Sequence, residues 1–254
     1  MPYLNRVSGA FLGGLILAST NSAMSQNALQ HPLLNSPGSV LVFQDNELRN
    51  GIANKSIFAL KTKWDTDGDG ITRIPVCWEN PRTEHQHFRD VTKTAVTGTW
   101  QLYSSIQFLN WGACTAADTT AIHISVGDYW PQSGIGKQIA GQSAGMQLNF
   151  DFNAPVDWQQ CKPIAESCVY KLGVHEFGHA LGFLHEQVRA DTPDNCRSAQ
   201  PGEKKVSGPG YTTSGTPWDI DSVMNYCNPV WNNSGHLSNL DVLALQSIYG
   251  SPRH

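Results

Sequence analysis

The sequence predicts an α+β domain: a mixed sheet first, then a buried helix, then an irregular C-terminal part. Three observations carry that prediction. Residues 71–78 (ITRIPVCW) and 121–126 (AIHISV) alternate as half-buried strands do. Residues 169–179 read as a helix that follows the strands. Glycine (23), proline (14) and tryptophan (8) are all abundant, which favours a loop-rich fold with aromatic anchors over a helical bundle. Strands and helices in that order suit a catalytic domain with a cleft.

The elements follow in chain order. Arg6 precedes an apolar run at 7–18 (VSGAFLGGLILA), and residues 19–25 turn small and polar, ending in Ala23-Met24-Ser25. This is the three-part pattern of a secretory signal, predicting residues 1–25 as a signal peptide and a secreted chain, extracellular or periplasmic. The run is shorter than the roughly 20 apolar residues that a membrane span needs. Residues 26–63 are polar and aperiodic and read as a propeptide or N-terminal arm; residues 64–254 are the expected catalytic domain. The strand at 71–78 contains Pro75, which places it at a sheet edge. Residues 88–109 carry Val91, Ala95, Trp100, Leu102, Tyr103 and Ile106 near helical spacing, one long helix running into a strand. After 121–126, a glycine-rich loop spans 134–145 and a strand follows at 146–152. Residues 240–249 form a closing helix ended by Gly250 and Pro252.

Composition excludes several classes. Charged residues are 15% of the chain and the net charge is −4, so nothing offers a polyanion an electrostatic handle and no nucleic-acid partner is expected. All six cysteines lie beyond the leader and none forms a C-x-x-C pair, which reads as disulfides rather than a zinc ribbon. Cys161 and Cys168 are near enough for a local bridge, and Cys196 with Cys227 would staple the segment after the histidine motif, although other pairings stay open. Residues 65–70 (DTDGDG) open like an EF-hand loop, but the bidentate glutamate needed at the twelfth position is Val76. A solvated turn is expected there; a calcium site of another kind stays open but unsupported.

The informative stretch is His175-Glu176-Phe177-Gly178-His179-Ala180-Leu181-Gly182-Phe183-Leu184-His185. On a helix, His175 and His179 project from one face toward one point, with Glu176 one step round, in reach of a metal-bound water. Gly182 can take the positive φ that ends the helix and lets His185 approach the same metal. Three imidazoles leave a coordination position open, as a catalytic zinc requires. The remaining histidines (His31, His85, His87, His123, His236, His254) have no such spacing, and His85 and His87 are expected at the surface.

This H-E-x-x-H-x-x-G-x-x-H run resembles the metzincin metallopeptidases. Phe183, Glu186, Arg189 and Asp191 resemble the astacin family within them, although the pattern breaks at Thr192-Pro193-Asp194. Downstream, Ser222-Val223-Met224-Asn225-Tyr226 resembles the Met-turn, with Met224 beneath the metal and Tyr226 at the position of a tyrosine that joins the zinc or stabilises the transition state. The resemblance implies a metzincin-like catalytic domain: a mixed twisted sheet, a zinc-binding active-site helix and an irregular C-terminal subdomain. It further implies one catalytic Zn2+ on His175, His179 and His185, and peptide hydrolysis by a zinc-bound water that Glu176 activates, assisted by Tyr226. The strand around 146–150 would bind an extended substrate at the sheet edge, as the matching strand does in metzincins. Glu186 reads either as a holder of a buried N-terminus or as an ordinary carboxylate, beside the site or charged at the surface. Protein or peptide substrates, a monomer and no stable membrane insertion after leader removal complete the expectation. Two alternatives stand beside it: a hydrolase specialised for cell-wall peptide crosslinks, and a zinc-binding module without catalysis.

Overall fold

The computed structural model of the chain describes residues 57–199, 204–213 and 215–253. The expected signal peptide and most of the expected arm lie outside the described residues. Five strands form one sheet: β2 (Thr72–Trp78), β3 (Ile106–Ala113), β4 (Ile122–Val126), β5 (Gln132–Ser133) and β6 (Met146–Leu148), in the order β3-β2-β4-β6-β5. The first four neighbours run parallel, and β5 is antiparallel to β6. A two-residue strand β1 (Phe58–Ala59) pairs with β7 (Tyr211–Thr212). The helices are α1 (Gln86–Val96), α2 (Ala165–Leu181), the short α3 (Asp194–Ala199) and α4 (Asn239–Tyr249). Among the described residues no helix is long and apolar enough to cross a membrane.

Pro75 is not at an edge, because β2 lies between β3 and β4. The sequence expectation fails here, yet the ring is accommodated. The Thr72 N–H faces the β3 side, donating to Ser105 O, so Pro75, three residues on, turns its nitrogen the other way. Pairing with β4 begins only at Val76, so Pro75 lacks a donor where none is needed. The register between β2 and β3 slips at Val76/Cys77, where Trp111 is skipped as a bulge; Asn110 (φ 74°) and Trp111 (φ 67°) take the left-handed conformations this requires. Cys77 and Cys114 then bridge the ends of the pair.

The predicted helix over 88–109 divides. It is α-helical to Val96, widens to a π-turn at Thr97–Gln101, and gives way to β3 at Ile106. The strand expected at 146–152 is shorter, ending at Leu148. The Asn149 carboxamide oxygen accepts from the N–H groups of Asp151 (3.0 Å) and Phe152 (2.8 Å) and turns the chain out of the sheet. Nor is this strand the sheet edge. Gly134 N–H donates to Gly145 O at 3.0 Å, folding β5 back along the outer flank of β6, and β5 becomes the edge.

Residues 57–63, the end of the expected arm, are packed into the domain. Ile57 and Phe58 are buried, and the Phe58 ring meets Phe183 and Tyr249 edge-on at centroid distances of 5.3 and 6.1 Å. Trp64 and Trp100 pin the sheet side to α2: their indole N–H groups donate to the carbonyls of Ala180 (2.7 Å) and Val174 (2.8 Å). Trp100 also stacks on Phe183 at 5.4 Å. Residues 65–70 form the expected turn, its carboxylates engaged by cations: Arg73 binds Asp67 (2.6 Å) and Asp69 (2.7 Å), and Lys137 binds Asp65. His85 departs from expectation. It is buried against Phe150 and contacts Asp151, which Arg82 also binds, because a carboxylate 66 residues away satisfies its ring nitrogen. His87 is exposed, beside Glu166.

Candidate metal centre and its cleft

The C-terminal part of α2 is buried on every face from Leu172 to Leu181, so a helix that would be a poor surface element is held by packing. Its end follows from sequence. Gly182 adopts φ 107°, its N–H donates to His179 O (2.8 Å), and the Phe183 N–H donates to Gly178 O (3.0 Å). That pair of bonds is a Schellman motif, and it reverses the chain so that His185 returns toward the helix.

Backbone carbonyls aim two of the three histidines. His175 Nδ1 lies 2.8 Å from Val223 O, and His179 Nδ1 lies 2.9 Å from Phe183 O. A carbonyl only accepts, so each Nδ1 carries the proton and each Nε2 presents a lone pair. His185 Nε2 sits 3.2 Å from that of His175 and 3.0 Å from that of His179. Such convergence of lone pairs is repulsive without a cation between them. Bonds of about 2.0–2.1 Å to a tetrahedral zinc put ligand nitrogens about 3.3 Å apart, so the donor set and its spacing fit that ion. Burial, and secondarily the neighbouring His185, hold the His175 imidazole down to about 3, and His179 is held well below its ordinary range for the same reasons. Both are therefore neutral, the form that binds metal. Among the described residues the other grouping of possible ligands, Cys77, Cys114 and His123, is consumed by the Cys77–Cys114 disulfide.

Glu176 is buried, and its Oε2 has no hydrogen-bond partner among the described residues. Burial alone pushes its carboxyl up to about 8, and a divalent cation held by the three histidines would act against that and favour the ionised form. Met224 lies under the helix: a Cβ on Gly178 would stand 2.4 Å from its sulfur, so glycine there permits the close approach. Tyr226 is 44% exposed, with its ring centroid 5.5 Å from that of His175 and 4.2 Å from that of His185. Its N–H donates to the buried Gln187 carboxamide at 3.2 Å. Asp241 holds the turn from below, accepting from Ser222 Oγ (2.6 Å) and Val223 N–H (3.0 Å) while boxing the α4 start with Ser238. Glu186 is no surface charge. It is buried against Arg189 (3.4 Å) and accepts from Asp219 N–H, and burial raises it to about 8 despite the guanidinium.

Sequence spacing does not reveal the cleft wall. A cavity of about 310 Å³ opens beside His175 and Glu176, walled by Trp130, Trp158, Trp231 and Tyr226. The four aromatics come from distant segments, and only the abundance of tryptophan hints at them. Two bridges anchor this region, Cys161–Cys168 at the start of α2 and Cys196–Cys227 behind the Tyr226 turn; both join cysteines paired in the sequence expectation. Asn232, in the N-x-S sequon at 232–234, is buried and closed to modification.

Comparisons with known proteins converge on this segment. Residues 157–246 match the model of the Astacin peptidase family. The zinc metalloproteinase nas-15 of Caenorhabditis elegans is 24% identical over 198 residues, 68% of this chain and 31% of that protein. The astacin-like metalloendopeptidase of Gallus gallus is 27% identical over 219 residues, 75% of this chain and 47% of that protein. The chain thus spans less than half the length of these curated relatives. Among solved structures, myroilysin superposes with a TM-score of 0.56 at 20% identity, covering 78% of this chain and 99% of its own. High choriolytic enzyme 1, a hatching enzyme zinc-protease from Oryzias latipes, gives 0.52 at 18%, covering 76% and 97%. The chain is similar to the astacin group of metzincin-type zinc proteases, and the α+β, metzincin-like fold read from the motif is borne out.

Proposed function

We propose that the chain is an exported zinc-dependent endopeptidase in which His175, His179 and His185 hold one zinc ion and Glu176 is the general base. One observation carries the reading: two carbonyl-oriented imidazoles and His185 converge with Nε2 separations of 3.0 and 3.2 Å, beside the buried Glu176 carboxylate, whose Oε2 has no partner among the described residues. Bound there, zinc supplies Lewis acidity toward a water molecule and a peptide carbonyl. Glu176 accepts the proton of the attacking water and delivers it to the amide nitrogen as the C–N bond breaks, so its carboxylate is regenerated. The Tyr226 hydroxyl donates to the carbonyl oxygen as negative charge develops there; its exposure gives the ring room to swing into place. The edge strand β5 leads out of Trp130-Pro131 at the cavity wall, and an extended substrate adds to the sheet along it. Three disulfides support an oxidising, exported setting.

A zinc module without catalysis gives the buried Glu176 carboxylate no role, and a preference for cell-wall crosslinks over protein would show in a digestion panel of casein, gelatin and peptidoglycan. The direct test is Glu176→Gln. The variant should bind zinc as the parent does and lose roughly 100-fold or more of its casein hydrolysis. Parental turnover in a zinc-loaded variant would remove Glu176 from the mechanism.

A further inference from the structure

The cavity beside the histidines has a chemistry of its own. Trp130 and Trp158 meet edge-on at a centroid distance of 5.7 Å, and Trp158 and Trp231 meet at 5.7 Å with their planes tilted by 57°; Tyr226 and His175 line the same cavity. Trp130 is 52% exposed and Trp231 38%. Clustered exposed tryptophans in a concave site are a recognition feature rather than a packing one, since their burial is withheld until an occupant arrives. The wall is also fixed in place: Trp158 lies on the turn that the Cys161–Cys168 bridge ties to the first residues of α2. Asn228 Nδ2 and Asn232 Oδ1, on two further lining residues, are buried without a hydrogen-bond partner among the described residues.

We infer that this tryptophan-walled cavity is the specificity pocket of the proposed peptidase and takes a large aromatic side chain, that of phenylalanine, tyrosine or tryptophan, next to the scissile bond. This rests on the peptidase reading. Size, wall and charge support it. About 310 Å³ is roughly twice the 150 Å³ that encloses a benzene ring, which leaves room for a phenol or an indole. Among the described residues no lysine or arginine lines the cavity, so an acidic side chain would enter without a cation to pair it. A cationic side chain would seek Glu176 and the ring faces, but the Trp231 ring is already engaged by Lys171 Nζ, 5.4 Å from its centroid.

The test separates binding from hydrolysis. Fluorescently labelled peptides that differ only at one central residue (Phe, Ala, Asp or Lys) are titrated by anisotropy against zinc-loaded Glu176→Gln protein. The Phe peptide should bind about 10- to 100-fold more tightly than its Ala twin. Trp231→Ala and Trp130→Ala, each added to that background, should bring the ratio below about threefold. Both residues are partly exposed, and the pair of variants guards against one that fails to fold. In parallel, sequencing the new ends in a casein digest by the wild-type protein should place aromatic residues at one position flanking the cleaved bonds. Tightest binding of the Asp or Lys peptide, or a Phe preference that survives both tryptophan variants, overturns the inference. A Phe preference abolished by both variants, in a protein that cleaves nothing, upholds the pocket and defeats the peptidase reading.

Discussion

Replacing Gly182 by alanine tests how sequence builds the third ligand. Gly182 sits at φ 107°, where an L side chain is strained by about 1–2 kcal/mol. Its new Cβ would lie 2.6 Å from Phe58 Cε2 and 2.9 Å from Cζ. The Phe58 ring cannot retreat, because it is fully buried between Phe183 and Tyr249, so overpacking adds about 1–3 kcal/mol. The alanine restricts the unfolded chain and offsets about 0.4–1 kcal/mol. The net expectation is a loss of roughly 1–5 kcal/mol. Equilibrium urea unfolding with the disulfides intact measures it, first without zinc and then with zinc in excess. Because Gly182 directs His185 back to the site, zinc should also stabilise the variant by less than it stabilises the parent. Zinc-free stability within about 0.5 kcal/mol of the parent, with an unchanged zinc increment, would refute the claim that this turn is what delivers His185.

Two further outcomes are expected. Tyr226→Phe should lower kcat/KM by roughly 100- to 1,000-fold at unchanged zinc stoichiometry, as loss of one oxyanion donor does; parental kinetics would leave Tyr226 a wall residue only. Asp241 is raised to about 6 by burial and by the charge of Asp219, against the hydrogen bonds from Ser222, Val223 and Ser238. A raised carboxyl contributes stability that is present below pH 4 and lost as pH rises through about 6. Asp241→Asn should therefore gain on the parent between pH 4 and pH 7, by up to about 3 kcal/mol, in unfolding measured across that range; a pH-independent difference would contradict it.

The legibility of this molecule in its sequence follows the range of the interactions. The three histidines, Glu176 and Gly182 are readable because a helix and its cap are local, and fixed spacing translates directly into one face and one turn. Gly178 stands inside that motif, yet its purpose is visible only once Met224 is seen against it. The edge of the sheet is not readable, because β5 is two residues long and owes its position to pairing with β6 across a glycine-rich loop, not to any period of its own. Pro75 misleads for a related reason: which flank a nitrogen faces depends on where the neighbouring strand begins. His85 reads as a surface residue because its partner, Asp151, is remote in sequence. The aromatic wall is invisible on the same grounds, assembled from residues 130, 158, 226 and 231.

The proposed centre is tested most directly by stripping the purified protein with a chelator and restoring zinc in small steps while following hydrolysis of a quenched casein substrate. Activity should vanish on stripping, return in proportion to added zinc and level off at one equivalent, with His185→Ala failing to recover. Hydrolysis that survives complete removal of metal, or a protein that takes up no zinc, would contradict the assignment of His175, His179 and His185 as the ligands of a catalytic ion.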